Sequence, residues 1–123
     1  MRSRTAKLYG IPNCATVKKA RAWLAGRGID VAFHDFRKDG VTPDLLQAWL
    51  KRIEWQRLLN RSGTTWRKLP DPVRARVTGA AEATALMLDH PSVIRRPVLE
   101  LGDQVHVGFD EPTYRGLFTE PKR

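Results

Sequence analysis

The sequence predicts an α/β fold on a mixed four-stranded sheet, in the order β-α-β, a helical insert, then β-β-α. Three observations carry this. A short apolar run at 7–11 leads into an amphipathic helix and then an alternating strand, the pattern of a parallel βαβ unit. Two later runs flank Gly102-Asp103, a strong hairpin signal. Between them, over about 42–90, apolar residues recur at helical spacing. One domain spanning 1–123 accommodates this order, since a chain of 123 residues can bury one core.

Each element has its own justification. Residues 7–11 are a short buried strand that ends in the turn signal Gly10-Ile11-Pro12-Asn13. Helix 15–25 follows, with Val17, Ala20, Trp23 and Leu24 on one stripe, and Gly26-Arg27-Gly28 stops it. Strand 31–36 places Val31, Phe33 and Asp35 on one face and Ala32, His34 and Phe36 on the other. Lys38-Asp39-Gly40 reads as a turn. Thr42-Pro43 opens a helix by cap and proline, with Leu45, Leu46, Trp49, Leu50 and Ile53 as its apolar positions.

Residues 55–59 read as a short helix, and 64–69 as a helical turn closed by Pro70-Asp71-Pro72. Helix 80–89 buries Ala83, Leu86 and Met87 and ends at His90-Pro91. Strands 97–101 and 104–108 form the hairpin, and a last helix over 110–118 turns Tyr114, Leu117 and Phe118 inward. Helices packed on a mixed sheet are the economical solution. This is the thioredoxin-like plan, in which the loop after the first strand carries a reactive cysteine at a helix start.

Cys14 stands in that loop, and it is the only cysteine of the chain. Free N–H groups and the positive end of the helix dipole favour an anion there. Thiolate is the nucleophilic form, and helix N-termini lower a cysteine pKa. No intramolecular disulfide is possible, so any redox chemistry draws its second thiol from outside. The competing reading is a buried inert cysteine; the turn before it and the helix start after it favour exposure.

Composition narrows the classes. One cysteine argues against a disulfide scaffold and fits a reducing cytosol, so a cytoplasmic location is expected. No apolar run approaches the ~18 residues of a membrane helix. The stretch 1–7 is basic and lacks the apolar region of a signal peptide. The net charge of +9, from 22 Lys and Arg against 13 Asp and Glu, draws anions. The charge is scattered and no nucleic-acid motif accompanies it, so direct nucleic-acid binding is not expected. His34, His90 and His106 show no metal-ligand spacing, and no metal site is expected.

Three separated segments resemble a known family. They are Tyr9-Gly10-Ile11-Pro12-Asn13-Cys14 with Thr16-Val17-Lys18-Lys19-Ala20, then Leu58 to Arg67, then His90 to Val98. In this order they resemble the ArsC/Spx family, in particular its YffB-type branch, over about 7–118. The resemblance implies a thioredoxin-like fold with a helical insert. It also implies a glutathione-dependent thiol reductase related to glutaredoxin-coupled arsenate reductases. Glutathione would then be a co-substrate, a glutaredoxin a possible partner, and the substrate a small oxyanion or an oxidised thiol. No permanently bound cofactor is expected, and a monomer is expected.

The resemblance also assigns residues. Cys14 is the nucleophile. Arg96 offers donors to an oxyanion or a glutathione carboxylate and helps hold the thiolate. Its bond to Pro97 is typically cis in the family. Asn13 shapes the turn. Arsenate reductases place an arginine directly after the Leu-Leu pair; here Asn60 takes that place and Arg61 follows, so either serves the pocket. A third family arginine falls at Val107, and none occurs in 104–108. Two of three oxyanion arginines are thus shifted or missing, which favours a substrate other than arsenate. The alternative is a regulator of the Spx type that docks on RNA polymerase. Its switch uses a Cys-x-x-Cys pair, whereas this chain reads Cys14-Ala15-Thr16-Val17.

Overall fold

The computed structural model describes residues 6–118. The basic leader singled out above lies mostly outside the described residues. Strand β1 (Ala6–Gly10) is followed by α1 (Ala15–Gly26), β2 (Ala32–Asp35) and the one-turn helix α2 (Phe36–Asp39). The insert holds α3 (Pro43–Leu50), α4 (Trp55–Leu58), α5 (Thr64–Lys68), α6 (Asp71–Ala75) and α7 (Ala80–Asp89), then a 3₁₀ turn at Pro91–Val93. Strands β3 (Val98–Leu101) and β4 (Gln104–Val107) and helix α8 (Glu111–Leu117) complete the order.

The four strands form one mixed sheet in the order β2-β1-β3-β4. β1 runs parallel to β2 and antiparallel to β3, which pairs antiparallel with β4. This is the expected thioredoxin-like α/β architecture. Leu8 lies opposite Phe33 and Leu99, and Tyr9 lies opposite His34 and Val98. Successive side chains point to opposite faces, so the sheet feeds two cores. Leu8 and Leu99 join Ala20 and Leu24 of α1 and Tyr114 of α8. Tyr9 and Val98 join Trp49, Leu58, Met87 and Ile94 from the insert and its exit. Fully burying one such side chain contributes about 1.5–3 kcal/mol relative to leaving it exposed.

Polar contacts fasten the insert at two places. Glu100 on β3 accepts a hydrogen bond from the Tyr9 hydroxyl at 2.9 Å and from the Trp49 indole at 2.7 Å. Leu59 bridges Ile94, with Asn60 N–H donating to the Val93 carbonyl at 2.7 Å and Arg95 N–H to the Leu58 carbonyl at 2.8 Å. The chain entering β3 is thereby held against the insert just before Arg96.

The structure departs from the sequence reading in the loops. Strand β2 ends at Asp35, and Phe36 and the expected turn residues Lys38 and Asp39 belong to one helical turn, Phe36–Asp39. Asp35 caps it by accepting from Arg37 N–H, and Gly40 exits at φ 78°. Pro70-Asp71-Pro72 does not only close a segment. It opens α6, because a proline in the first turn gives up only an N–H that has no helical partner. Pro91 likewise starts the 3₁₀ turn after α7.

Candidate active site

Cys14 is the N-cap of α1, with extended backbone at φ −140° and ψ 126°. Its carbonyl accepts from Lys18 N–H at 2.9 Å, the first bond of the helix. The cysteine itself thus occupies the cap position of the helix. The thiol is half-buried. Its sulfur makes no conventional capping hydrogen bond. The pKa nevertheless lies below that of an ordinary thiol. Partial burial pushes it up, but the Val17 N–H, the Arg96 guanidinium and the Thr16 N–H favour the thiolate and together outweigh burial. The helix start is thus the chemical device, as expected for an anion there.

The approach of α1 to β1 sets this geometry. A Cβ built on Gly10 would lie 2.8 Å from Val17 Cγ2. Val17 is fully buried. Glycine at the strand end therefore lets the first turn of α1, which Cys14 caps, sit close against β1. In the sequence Gly10 reads as part of a turn, and no local pattern signals this contact.

Arg96 reaches the site from the start of β3. It is the one charged side chain among the groups that shift the thiol. Its Nη1 donates to the Ser92 carbonyl at 3.1 Å, while its Nε is buried with no hydrogen-bond partner among the described residues. The Arg96-Pro97 bond is cis. Pro97 is buried, and its carbonyl accepts from Gly108 N–H at 2.8 Å. Arg95 turns elsewhere and donates from Nε to the Arg57 carbonyl at 3.2 Å.

The remaining candidates make other contacts. Asn13 is exposed in the loop before the thiol. Asn60 turns its Oδ1 back to accept from Ser62 N–H at 3.1 Å. Gly63 packs against its amide, where an added Cβ would lie 2.9 Å from Nδ2. The Arg61 guanidinium lies over the Trp55 ring, 5.8 Å from its centroid, and is not among the groups that shift the thiol. Val107 is buried in the insert-side core. Trp66 packs against that same core. His34 contacts the Gly40 carbonyl at 2.8 Å, and His106 packs on Tyr114. Among the described residues no group of His, Cys, Asp and Glu is placed to hold a metal ion. No helix there is long and apolar enough to cross a membrane.

A thioredoxin-like sheet with a lone cysteine capping the first helix defines the class. The ArsC family matches residues 9–117, and the chain belongs to it. The solved structure of a YffB protein shares 43% identity and a TM-score of 0.89, covering 94% of this chain and 100% of that one. The solution structure of an arsenate reductase (ArsC) related protein from Brucella melitensis shares 48% identity and a TM-score of 0.76, covering 98% and 99%. The global transcriptional regulator Spx of Streptococcus pyogenes is 25% identical over 118 residues, covering 94% of this chain and 87% of Spx.

Proposed function

We propose that this protein is a glutathione-dependent thiol reductase with Cys14 as its nucleophile. The observation that carries the reading is the capping position of the only cysteine, beside Arg96, with its pKa lowered. The Cys14 thiolate attacks the glutathione sulfur of a mixed disulfide. The substrate thiolate leaves and takes a proton from solvent, and a Cys14–glutathione disulfide remains. A second glutathione thiolate attacks the glutathione sulfur of that adduct, restores the Cys14 thiolate and departs as glutathione disulfide. Overall the mixed disulfide and one glutathione thiol become the substrate thiol and glutathione disulfide: one disulfide bond breaks and one forms, the substrate sulfur is reduced and the incoming glutathione sulfur is oxidised. A glutaredoxin is the protein partner that fits the resolving step. Arg96 holds the thiolate and offers donors to the incoming anion. Asn13, Asn60 and Pro97 shape the pocket wall, and Arg61 serves at its rim.

Arsenate fits these residues less well than a disulfide does. Val107 is apolar and buried where a third oxyanion arginine is expected, and Asn60 replaces the arginine after the Leu-Leu pair. The test is alkylation of Cys14 across pH, with intact mass measured after exposure to glutathione disulfide. A depressed thiol pKa with one glutathione adduct, released by fresh glutathione, supports the reductase. An unreactive thiol overturns it.

The likeness to Spx and the net charge of +9 favour a second reading, a regulator docking on RNA polymerase. A pull-down with purified polymerase tests it. Retention that is unchanged in Cys14→Ser would move the function from redox chemistry to docking.

A further inference from the structure

A cleft of about 180 Å³ opens beside Arg96, lined by Ile11, Phe36, Arg37, Pro91, Ser92 and Arg96. By liquid volume it holds about six waters at ~30 Å³ each. That room suits one short arm of a tripeptide, not the whole molecule. Its wall is apolar at Ile11, Phe36 and Pro91, and cationic at Arg37 and Arg96. Arg37 is fixed at its backbone, where its N–H donates to Asp35 Oδ1 at 2.9 Å. Its guanidinium makes no ion pair among the described residues, and neither does that of Arg96. Arg96 already faces the Cys14 thiolate, so Arg37 is the cation of this cleft left to attract a further anion. The guanidinium fork matches a carboxylate.

We propose that Arg37 is a specificity residue of this site, binding a carboxylate of the thiol co-substrate while its sulfur meets Cys14 beside Arg96. This rests on the glutathione-dependent reading above and names what that reading leaves open, the feature by which glutathione is told from other small thiols. Phe36 starts α2 and is buried, which anchors the turn that carries Arg37 at the cleft rim.

The experiment loads Cys14 with a 2-mercaptoethanol disulfide and measures its reduction by three thiols at equal thiolate concentration. These are glutathione, neutral 2-mercaptoethanol and cationic cysteamine. Wild type is expected to prefer glutathione. In Arg37→Gln the ratio of glutathione to 2-mercaptoethanol rates falls about tenfold, the scale of one charge-assisted hydrogen bond in a partly exposed site. Arg37→Lys restores part of the ratio. Arg37→Glu shifts preference toward cysteamine, a response that mere loss of packing would not give. An undiminished glutathione preference in Arg37→Gln overturns the subsite and leaves the reductase standing. A wild type that shows no preference for glutathione overturns both readings, before any variant is made.

Discussion

Substituting Gly10 by alanine tests whether the approach of α1 to β1 places the thiol. The added Cβ would sit 2.8 Å from Val17 Cγ2, against an ordinary contact that starts at 3.4 Å. A gap of about 0.6 Å must therefore open. Val17 is β-branched, stiff at χ1 and fully buried, so it cannot swing aside cheaply. Overpacking of this kind costs about 1–3 kcal/mol. The unfolded chain loses freedom, which offsets about 0.4–1 kcal/mol. We expect a net loss of about 1–2 kcal/mol in denaturant unfolding, with the Cys14 pKa moving up as the N–H groups of Val17 and Thr16 shift away from the sulfur. The control is Gly10→Ala/Val17→Ala, where the two deleted methyls make room. Contacting residues couple by about 0.5–3 kcal/mol, so the double variant should be more stable than the sum of the singles. Strict additivity, or an unmoved thiol pKa in the single variant, would refute the contact as the device that sets the site.

Other outcomes follow from the same contacts. Cys14→Ser should abolish reductase turnover and glutathione adduct formation while the circular dichroism spectrum is preserved. Because the folded thiol has a lowered pKa, its contribution is present above the unfolded thiol pKa of ~8.5 and lost as pH falls through the folded value. The stability of wild type relative to Cys14→Ser should therefore grow with rising pH, read by urea unfolding. Arg96→Gln should raise the Cys14 pKa in an alkylation profile without returning it to that of a free thiol, since the helix N–H groups remain. Glu100→Leu leaves the Tyr9 hydroxyl and Trp49 indole without an acceptor, and at about 1–3 kcal/mol for each orphaned donor should cost about 2–6 kcal/mol by chemical denaturation. Burial raises the pKa of both tyrosines, helped by Glu100 at Tyr9 and by Asp110 at Tyr114. Stability from the neutral phenols is then complete below ~10 and lost as pH rises beyond it, so ultraviolet titration should show tyrosinate appearing together with unfolding.

The strands and long helices were legible because burial repeats at their own period. Val17, Ala20 and Leu24 form a stripe at helical spacing, and all three are fully buried. Gly102-Asp103 marks the hairpin. The short pieces were less legible. Phe36 satisfies both a strand face and a helix start, and only the Asp35 side chain capping Arg37 N–H decides between them. In the site, Cys14 was visible from a local pattern of turn then helix. The nearness of Arg96 was visible only through family resemblance, since it follows from pairing β3 against β1 across 90 residues of chain. Arg37 carried no sequence signal, and Ser92 none beyond its place in the His90–Val98 segment, because a cleft between α2 and the turn after α7 exists only once the insert folds back. The Gly10 contact was hidden for the same reason.

The division of labour at Cys14 explains why the insert matters to a site whose nucleophile lies outside it. The helix N–H groups come with α1 and would favour a thiolate in any similar sheet. They select no substrate. Selection requires side chains that meet the incoming thiol, and Arg96 owes its position to the insert. The Val93–Arg95 segment is pinned by Asn60 N–H and the Leu58 carbonyl, and Ser92 supplies the carbonyl that orients the guanidinium. Backbone chemistry thus activates the sulfur, and the insert decides what the sulfur meets. Loosening the insert at Leu59 or Ile94 should therefore impair recognition of glutathione more than the intrinsic reactivity of the thiol toward a small neutral alkylating agent. A variant such as Ile94→Ala that lost both in equal measure would show that activation and recognition are a single property of the fold.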